Sequence, residues 1–268
     1  MRGLLKVGFS LLVLAVVLIG LSYGMLRANG VAAAAEGRQL GSQSRDVPGG
    51  VNAVDLNGPI DLTLRYGATP SLTVRGETRL LGNVDVNRDG ATLQIGIRGM
   101  VLRHRRPLEV ELVLPNLSSI KVNGSGDSTV NGFSGERIAV RMEGPGSLRF
   151  NGRFRQVEAN LSGSGELDLN GGAGIDAVEA ALSGSGTLTV VGSARTLAAN
   201  ASGSGELDAR HLRADSVKVS LSGSGSSTVQ AERTVAASVS GTGDIEVHGN
   251  PGERSVSRTG TGSVTFSD

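Results

Sequence analysis

The amino-acid sequence predicts an all-β protein, a single-stranded parallel β-helix (β-solenoid) with about 20 residues per coil. A Gly-x-Gly motif returns eight times along the chain, in steps of 20, 19, 21, 19, 20, 18 and 19 residues. On both sides of each motif every second residue is apolar, which is the period of a β-strand with one buried face. A constant period near 20 residues is typical of solenoids, whose repeats stack on their neighbours.

Each motif is predicted to form a corner between two strands of one coil. Glycine can adopt positive φ and lets a neighbouring coil approach closely, whereas two glycines within three positions would cost a helix about 1 kcal/mol each. The predicted corner glycines are Gly124, Gly126, Gly144, Gly146, Gly163, Gly165, Gly184, Gly186, Gly203, Gly205, Gly223, Gly225, Gly241, Gly243, Gly260 and Gly262.

The residues that flank the corners predict a thin, continuous core. The sequence carries mostly Val, Leu, Ile and Ala two, four and six residues before the first glycine, and four and six residues after it. Aromatic residues make up only 3% of the chain, which suits a core too narrow for many rings. Arg254 and Arg258 interrupt the pattern in the last coil. Because inward charge opposes edge-to-edge association of sheets, we interpret them as a stop at the end of the solenoid; a ligand site is the alternative.

Three residues after the first glycine, an outward position, acidic and hydroxyl residues alternate from coil to coil along the whole solenoid; from Glu166 onward the outward position five residues after the glycine follows the same alternation. The alternation spaces like charges about 10 Å apart instead of about 5 Å, which by itself explains the pattern as charge spacing on a solvated face. The alternative is a binding face for cations or sugar hydroxyls. The candidate binding face comprises Asp127, Glu166, Asp168, Thr187, Thr189, Glu206, Asp208, Ser226, Thr228, Asp244 and Glu246.

The start of the chain predicts export. Arg2 and Lys6 precede an uncharged apolar stretch over residues 7–26, so residues 1–27 are predicted to be a helical signal peptide or a transmembrane anchor. The membrane is a partner if this segment is not cleaved, and both alternatives stay open. Residues 28–46 are small and polar, as in a linker. With either alternative, the remainder is expected to leave the cytoplasm.

Residues 47–268 are predicted to form one solenoid domain, with N-terminal strands over 47–120 and regular coils over 121–268. Turn residues such as Gly58-Pro59 and Arg88-Asp89-Gly90 separate short apolar runs in the first part. We expect these strands to begin and cap the solenoid, and a separate small β-domain is the alternative.

Charge and composition exclude several function classes. A basic run, Arg98 with Arg103, Arg105 and Arg106, is interpreted as a solvated loop or as a patch for anionic lipid or glycan. Nucleic acid is excluded as a partner, because the net charge is only +1 and the aromatic residues do not interleave with the basic ones. The chain has no cysteine, and its three histidines occupy unrelated repeat positions. No metal or cofactor is therefore predicted.

Three of the repeats resemble the bacterial GIN-domain family. They run Leu-Ser-Gly-Ser-Gly from Leu161, Leu182 and Leu221. The earlier segments around Gly58-Pro59-Ile60-Asp61 and from Leu108 to Pro115 are also similar, so the resemblance covers about residues 47–266. It implies a β-solenoid of the adhesin-head type in the bacterial cell envelope, on the periplasmic or the surface side, with no known catalytic residues.

The favoured function is a non-enzymatic adhesin-like or scaffold module that presents a repetitive face to a glycan or an envelope protein. A membrane-anchored envelope sensor or regulator partner is the alternative. A polysaccharide-cleaving enzyme is disfavoured. Glu166 and Asp168 would stand roughly 7 Å apart, as in inverting glycosidases, but steps of 18–21 residues leave no loops to wall a cleft. The oligomeric state is not predicted.

Overall fold

The coils stack in register, one motif above the next. In the computed structural model, which describes residues 39–99 and 107–267, parallel strands bring equivalent repeat positions together. Leu148 lies opposite Leu167, Leu167 opposite Leu188, and Leu188 opposite Leu207. The predicted all-β solenoid with about 20 residues per coil is thus confirmed.

Each regular coil has two strand segments, joined on one side by the glycine motif and on the other by a less regular turn. We call these the Gly corner and the return corner; the return corners comprise residues 131–136, 151–155, 170–176, 191–195, 210–215 and 230–233. The pairing register shifts at several return corners, for example between Asn151 and Gln156. The strands of the regular coils are β8 Ser119–Asn123, β9 Asp127–Glu143, β10 Ser147–Gly163, β11 Glu166–Gly184, β12 Thr187–Gly203, β13 Glu206–Gly223, β14 Ser226–Gly241, β15 Asp244–His248, β16 Glu253–Gly260 and β17 Ser263–Ser267.

The N-terminal strands belong to the same 17-stranded sheet. They are β1 Leu40–Arg45, β2 Ala53–Asn57, β3 Ile60–Tyr66, β4 Ser71–Glu77, β5 Val84–Asp89, β6 Thr92–Ile97 and β7 Leu108–Leu114, with one helical turn, α1 Thr78–Leu81, between β4 and β5. Strands β2 and β3 pair in parallel with β8 and β9 and form a further coil. Strands β6 and β7 pair with β2 and β3, and β4 and β5 add antiparallel strands outside them.

Strand β1 lies inside the segment that composition predicted to be a linker. It pairs antiparallel with β4, from Leu40 opposite Glu77 to Arg45 opposite Leu72. Its side chains are mostly exposed, so an apolar pattern is not needed for this strand. The free backbone groups of β4 supply its partners instead, and residues 40–45 therefore belong to the 17-stranded sheet.

The buried residues are those that the alternation predicted. Met142, Leu161 and Leu182, each two residues before a corner glycine, are at most 2% exposed. Ser128 and Ser227 occupy core positions where most coils carry an aliphatic residue, and each is 1% exposed. Their hydroxyls have no hydrogen-bond partner in the described part of the chain. One continuous hydrophobic core therefore runs along the solenoid, with two polar interruptions.

The last coil is covered by an arginine. The Arg254 guanidinium lies 4.5 Å from the centroid of the Phe266 ring, and it donates to the carbonyl of Pro251 and to Asn250 Oδ1. Residues 253–260 of β16, including Arg258, are all exposed. Arg254 thus shields the end of the core, and its role as a stop against further stacking stays a prediction.

Within residues 39–99 and 107–267, no helix has both the length and the apolar character needed to cross a bilayer. The predicted signal peptide or anchor over residues 1–27 lies outside these residues, as do Arg103, Arg105 and Arg106 of the predicted basic patch.

Candidate functional site

The predicted binding residues stand in columns on the outer surface of the strand segment that follows each Gly corner. We call this surface the ladder face. Parallel pairing aligns the first column, Asp127, Ser147, Glu166, Thr187, Glu206, Ser226, Asp244 and Ser263. Ser147 Oγ donates to Asp127 Oδ1 at 2.6 Å, and Ser263 Oγ donates to Asp244 Oδ1 at 2.6 Å. At both ends of the column, a hydroxyl therefore bonds the carboxylate of the preceding coil.

Two arginines compensate acids on the ladder face. Arg149 Nε lies 3.4 Å from Asp168 Oδ2. Arg210 Nε lies 2.9 Å from Asp208 Oδ1, and Arg210 Nη2 lies 4.0 Å from Glu206 Oε1. The hydrogen bond that Arg210 Nε donates to the Asp208 carboxylate raises the pKa of the Arg210 guanidinium. The ladder face is thus a set of paired polar groups, not a bare acidic strip.

The ladder face extends one coil further than the sequence analysis placed it. Asp61 Oδ1 accepts a hydrogen bond from the Asp127 backbone N–H at 2.9 Å, although the two residues lie 66 positions apart. Asp61 stands three residues after Gly58, the same offset as Asp127 after Gly124. This offset is the pattern that could have found it, but Ile60 stands where the other motifs carry their second glycine.

Enzymatic acid–base chemistry lacks support on this face. Glu166 is exposed, and Asp168 contacts Arg149 instead of facing a partner acid across a cleft. Among the described residues, no group of three or more His, Asp or Glu side chains could hold a metal ion.

Of the predicted basic patch, Arg98 is described, and its Nη2 lies 2.5 Å from Asp85 Oδ1. This contact lowers the pKa of Asp85.

The return corners carry a second charged column, which the sequence analysis missed. Its members are Glu136, Arg155, Asp176, Arg195, Asp215 and Arg233, and their charges alternate in sign. Arg155 lies 3.6 Å from Glu136 and 2.7 Å from Asp176, and Arg195 also hydrogen-bonds Asp176. The two arginines hold the pKa of Asp176 below its usual value, Arg195 having the larger effect.

We expect Asp176 to make the solenoid sensitive to acid. Because its folded-state pKa is lowered, its ion pairs contribute stability that is complete above the unfolded-state pKa of about 3.9. That contribution is lost as the pH falls through the lower folded-state pKa. The thermal midpoint of the Asp176→Asn chain should therefore fall less than that of the unchanged chain between about pH 4 and pH 2.

The control for this prediction is Asp215→Asn. Asp215 stands on the same edge, and no ion pair involves it within the described residues. Its substitution should leave the acid-induced fall of the midpoint close to that of the unchanged chain. Equal slopes for Asp176→Asn and the unchanged chain would contradict the role given to the Arg155–Asp176–Arg195 contacts.

Concave surfaces accompany these columns. A shallow groove of about 540 Å³ runs along the strands that precede the Gly corners, and small residues such as Ser162, Ser183 and Ser202 line it. A cleft of about 460 Å³ lies at the return corners of β9, β10 and β11, where Asn151, Arg153 and Asn170 line it.

Comparison with protein families gives one match over most of the chain. The model described as "Putative auto-transporter adhesin, head GIN domain" matches residues 51–251. The matched region runs from the coil of β2 and β3 through β15, and so includes the return corners and the ladder face as far as Glu246. No curated protein matches the chain.

Solved structures share the architecture. A putative lipid binding protein from Parabacteroides distasonis is 22% identical with a TM-score of 0.79, covering 86% of this chain and 97% of that one. A putative adhesin from the same species is 20% identical with a TM-score of 0.77, covering 85% and 97%. A putative adhesin from Parabacteroides merdae is 21% identical with a TM-score of 0.72, covering 86% and 97%. At these identities the likeness shows the fold alone.

Proposed function

Since the chain belongs to the family of the putative auto-transporter adhesin head, or GIN, domain, we propose that it is a non-enzymatic cell-envelope protein that acts as an adhesin-like binding module or scaffold. The observation that carries this proposal is the in-register repetition of the ladder face. Glu166 with Asp168, and Glu206 with Asp208, present the same pair of acids two coils apart, with Thr187 and Thr189 between them.

The ladder face favours many weak contacts over one tight pocket. Its acid pairs recur about every 10 Å, twice the strand spacing, so a repetitive ligand can meet equivalent groups along the rod. Carboxylates and hydroxyls bond the hydroxyls of a glycan, or basic side chains of an envelope protein. Equal sites on a rigid rod raise the overall affinity through effective concentration instead of individual strength.

The proposal is tested by graded substitution of the ladder face. The purified full chain is incubated with isolated bacterial envelopes, and the bound fraction is measured. Replacing Glu166 and Asp168 by Ala, or Glu206 and Asp208 by Ala, should each reduce binding by a similar step, and all four changes together should reduce it further. The charge-matched control replaces Asp215 and Glu232 of the return corners, and thermal melting checks that every variant folds.

Two results would overturn this function. Complete loss of binding after one pair is replaced would indicate a single chelating or catalytic site instead of a repetitive face. Turnover of an envelope polysaccharide by the purified chain would make the protein an enzyme.

Exposure on the cell is tested separately. Intact cells that carry a C-terminally tagged full chain are treated with a protease, with a periplasmic protein as control. Loss of the tag while the control survives is expected for an adhesin. Protection of the tag until the envelope is opened would contradict direct adhesion and leave an internal scaffold or a sensor.

A further inference from the structure

The cleft at the return corners of β9, β10 and β11 has features that the ladder face lacks. We call it the return cleft. Its volume is about 460 Å³, and it is lined by Gly132, Phe133, Ser134, Asn151, Gly152, Arg153, Asn170 and Gly172. Glycine at three of these positions leaves backbone in reach of a ligand. The lining therefore combines amide, hydroxyl, guanidinium and aromatic groups within three neighbouring coils.

An exposed aromatic ring stands beside the return cleft. Tyr66, at the end of β3, is 59% exposed. Its ring packs edge-on against Phe133, with centroids 6.2 Å apart and an interplanar angle of 88°. Tyr66 Cβ also lies 3.4 Å from the position that a Cβ on Gly132 would take, and Gly132 lines the return cleft. The contact with Phe133 holds the Tyr66 ring in place, and the exposed part of the ring can stack on the C–H face of a sugar while its hydroxyl stays in water.

Arg153 supplies a positive charge that no acid compensates. Arg153 is exposed, and its Cγ lies 3.6 Å from the position of a Cβ on Gly172, so its side chain reaches the neighbouring coil at the return cleft. Arg153 has neither an ion pair nor a side-chain hydrogen bond within the described residues, whereas the neighbouring Arg155 pairs with Asp176. Arg153 is also the one charged residue among those that line the return cleft. A planar guanidinium without a partner acid can make a bidentate contact with the carboxylate of a ligand.

Two asparagines leave polar atoms for a ligand. Asn151 Nδ2 donates to Asn131 Oδ1 at 2.9 Å, so Asn151 Oδ1 stays available as an acceptor. Asn170 Oδ1 accepts from the Gly172 backbone N–H at 3.2 Å, so Asn170 Nδ2 stays available as a donor. Sugar hydroxyls both donate and accept, and the return cleft offers one group of each kind.

A larger cavity further along the same edge is less suited to an anion. It measures about 850 Å³ and is lined by three arginines and three acids, Arg195, Arg213, Arg233, Asp176, Asp215 and Glu232. Opposite charges balance there, whereas the return cleft is cationic. The one apolar side chain that lines the return cleft, Phe133, is 2% exposed and packed in the core, so it is not free to enter a bilayer; this argues for a soluble polymer over a membrane surface.

From this geometry we propose that the return cleft binds a carboxylate-bearing sugar unit of an acidic polysaccharide. Tyr66 stacks on the sugar ring, Arg153 holds the carboxylate, and Asn151 and Asn170 bond the hydroxyls. The inference goes beyond the proposed function, because it places one specific site on a different edge of the rod from the ladder face.

The test measures binding of the full chain to polygalacturonate by calorimetry at physiological ionic strength. The comparison polymer is the same polysaccharide with its carboxylates reduced to alcohols. We expect the chain to bind polygalacturonate, and its affinity for the reduced polymer should be at least about tenfold lower. Arg153→Ala should weaken binding about tenfold or more, since a hydrogen-bonded contact to a charged group is lost. The affinity of Arg153→Lys for polygalacturonate should lie between that of the unchanged chain and that of Arg153→Ala.

The matched control is Arg258→Ala, which removes one exposed arginine from the last coil and changes the net charge equally. It should alter the affinity by less than about twofold. Tyr66→Ala should weaken binding, with thermal melting used to confirm that the variant folds.

Three outcomes overturn the inference. Equal losses for Arg153→Ala and Arg258→Ala would indicate unspecific charge attraction. Tighter, Arg153-dependent binding to phosphatidylglycerol vesicles would indicate a membrane surface. Absence of binding to polygalacturonate would reject the site, while envelope binding through the ladder face would leave the proposed function standing.

Discussion

The substitution Gly203→Ala is expected to unfold the middle of the solenoid. Gly203 has a φ of +111°, which L side chains rarely adopt, and a Cβ added to it would lie 2.4 Å from the carbonyl oxygen of Gly184. The obstacle is backbone of the preceding coil, so no side-chain movement relieves it. Backbone strain and overlap together should cost more than about 3 kcal/mol. The measurement is the denaturant midpoint of the full chain, followed by circular dichroism.

Two control variants separate the two causes. A Cβ on Gly205 would lie 2.5 Å from the carbonyl oxygen of Gly186, but Gly205 has no positive φ, so Gly205→Ala tests the overlap alone. Gly174 has a φ of +81° with no atom within 4 Å of an added Cβ, so Gly174→Ala tests backbone strain alone. Gly174→Ala should cost about 1–2 kcal/mol. If Gly203→Ala cost no more than that, close stacking at the Gly corner would not be what the glycines provide.

The regular coils could be predicted because each residue contacts its equivalent one period away. Counting from the Gly corner places Leu148, Leu167 and Leu188 in one column, and the structure pairs them in that order. The alternation of apolar and polar residues then identifies the buried face of each strand from the sequence alone. Local rules suffice wherever the neighbour in space is the next repeat in sequence.

The N-terminal coil was harder to predict because its neighbour is far away in sequence. Strand β2 pairs with β8 from Ala53 opposite Ser119, and the strands β3 to β7 lie between them in the chain. Ile60 replaces the second glycine, so the motif does not return there. Strand β1 was missed for another reason, since its residues pair through the backbone and carry no apolar pattern.

The sequence analysis did not find the arginines Arg210 and Arg153, because both lie in return corners. These corners differ in length from coil to coil, so counting from the glycines no longer aligns neighbouring residues. Arg210, which pairs with Asp208, and Arg153, which lines the return cleft, both stand in such segments. Tyr66 comes from β3, and its contact with Phe133 depends on the non-local pairing of β3 with β9.

Leu188→Ala is expected to produce the second largest loss of stability. Leu188 is 0% exposed and lies between Leu167 and Leu207 of the adjacent coils. Removing its side chain opens a cavity that a rod of stacked backbones cannot close, and buried Leu→Ala changes cost about 2–5 kcal/mol. In a solenoid the cost falls on two interfaces at once, because each coil is stabilised by the coils on both sides. The denaturant midpoint and hydrogen exchange of the β12 amides measure it.

The comparison is Val264→Ala, at the same repeat position in the last coil. Val264 is half-buried and pairs with Ile245 of one neighbouring strand, so its truncation should cost about 0.8 kcal/mol. Fast exchange should then be confined to β16 and β17. In Leu188→Ala, faster exchange should spread from β12 to β11 and β13, since both lose a packing partner. Equal costs for the two variants would contradict nearest-neighbour stabilisation and would mean that the solenoid unfolds as one unit from either position.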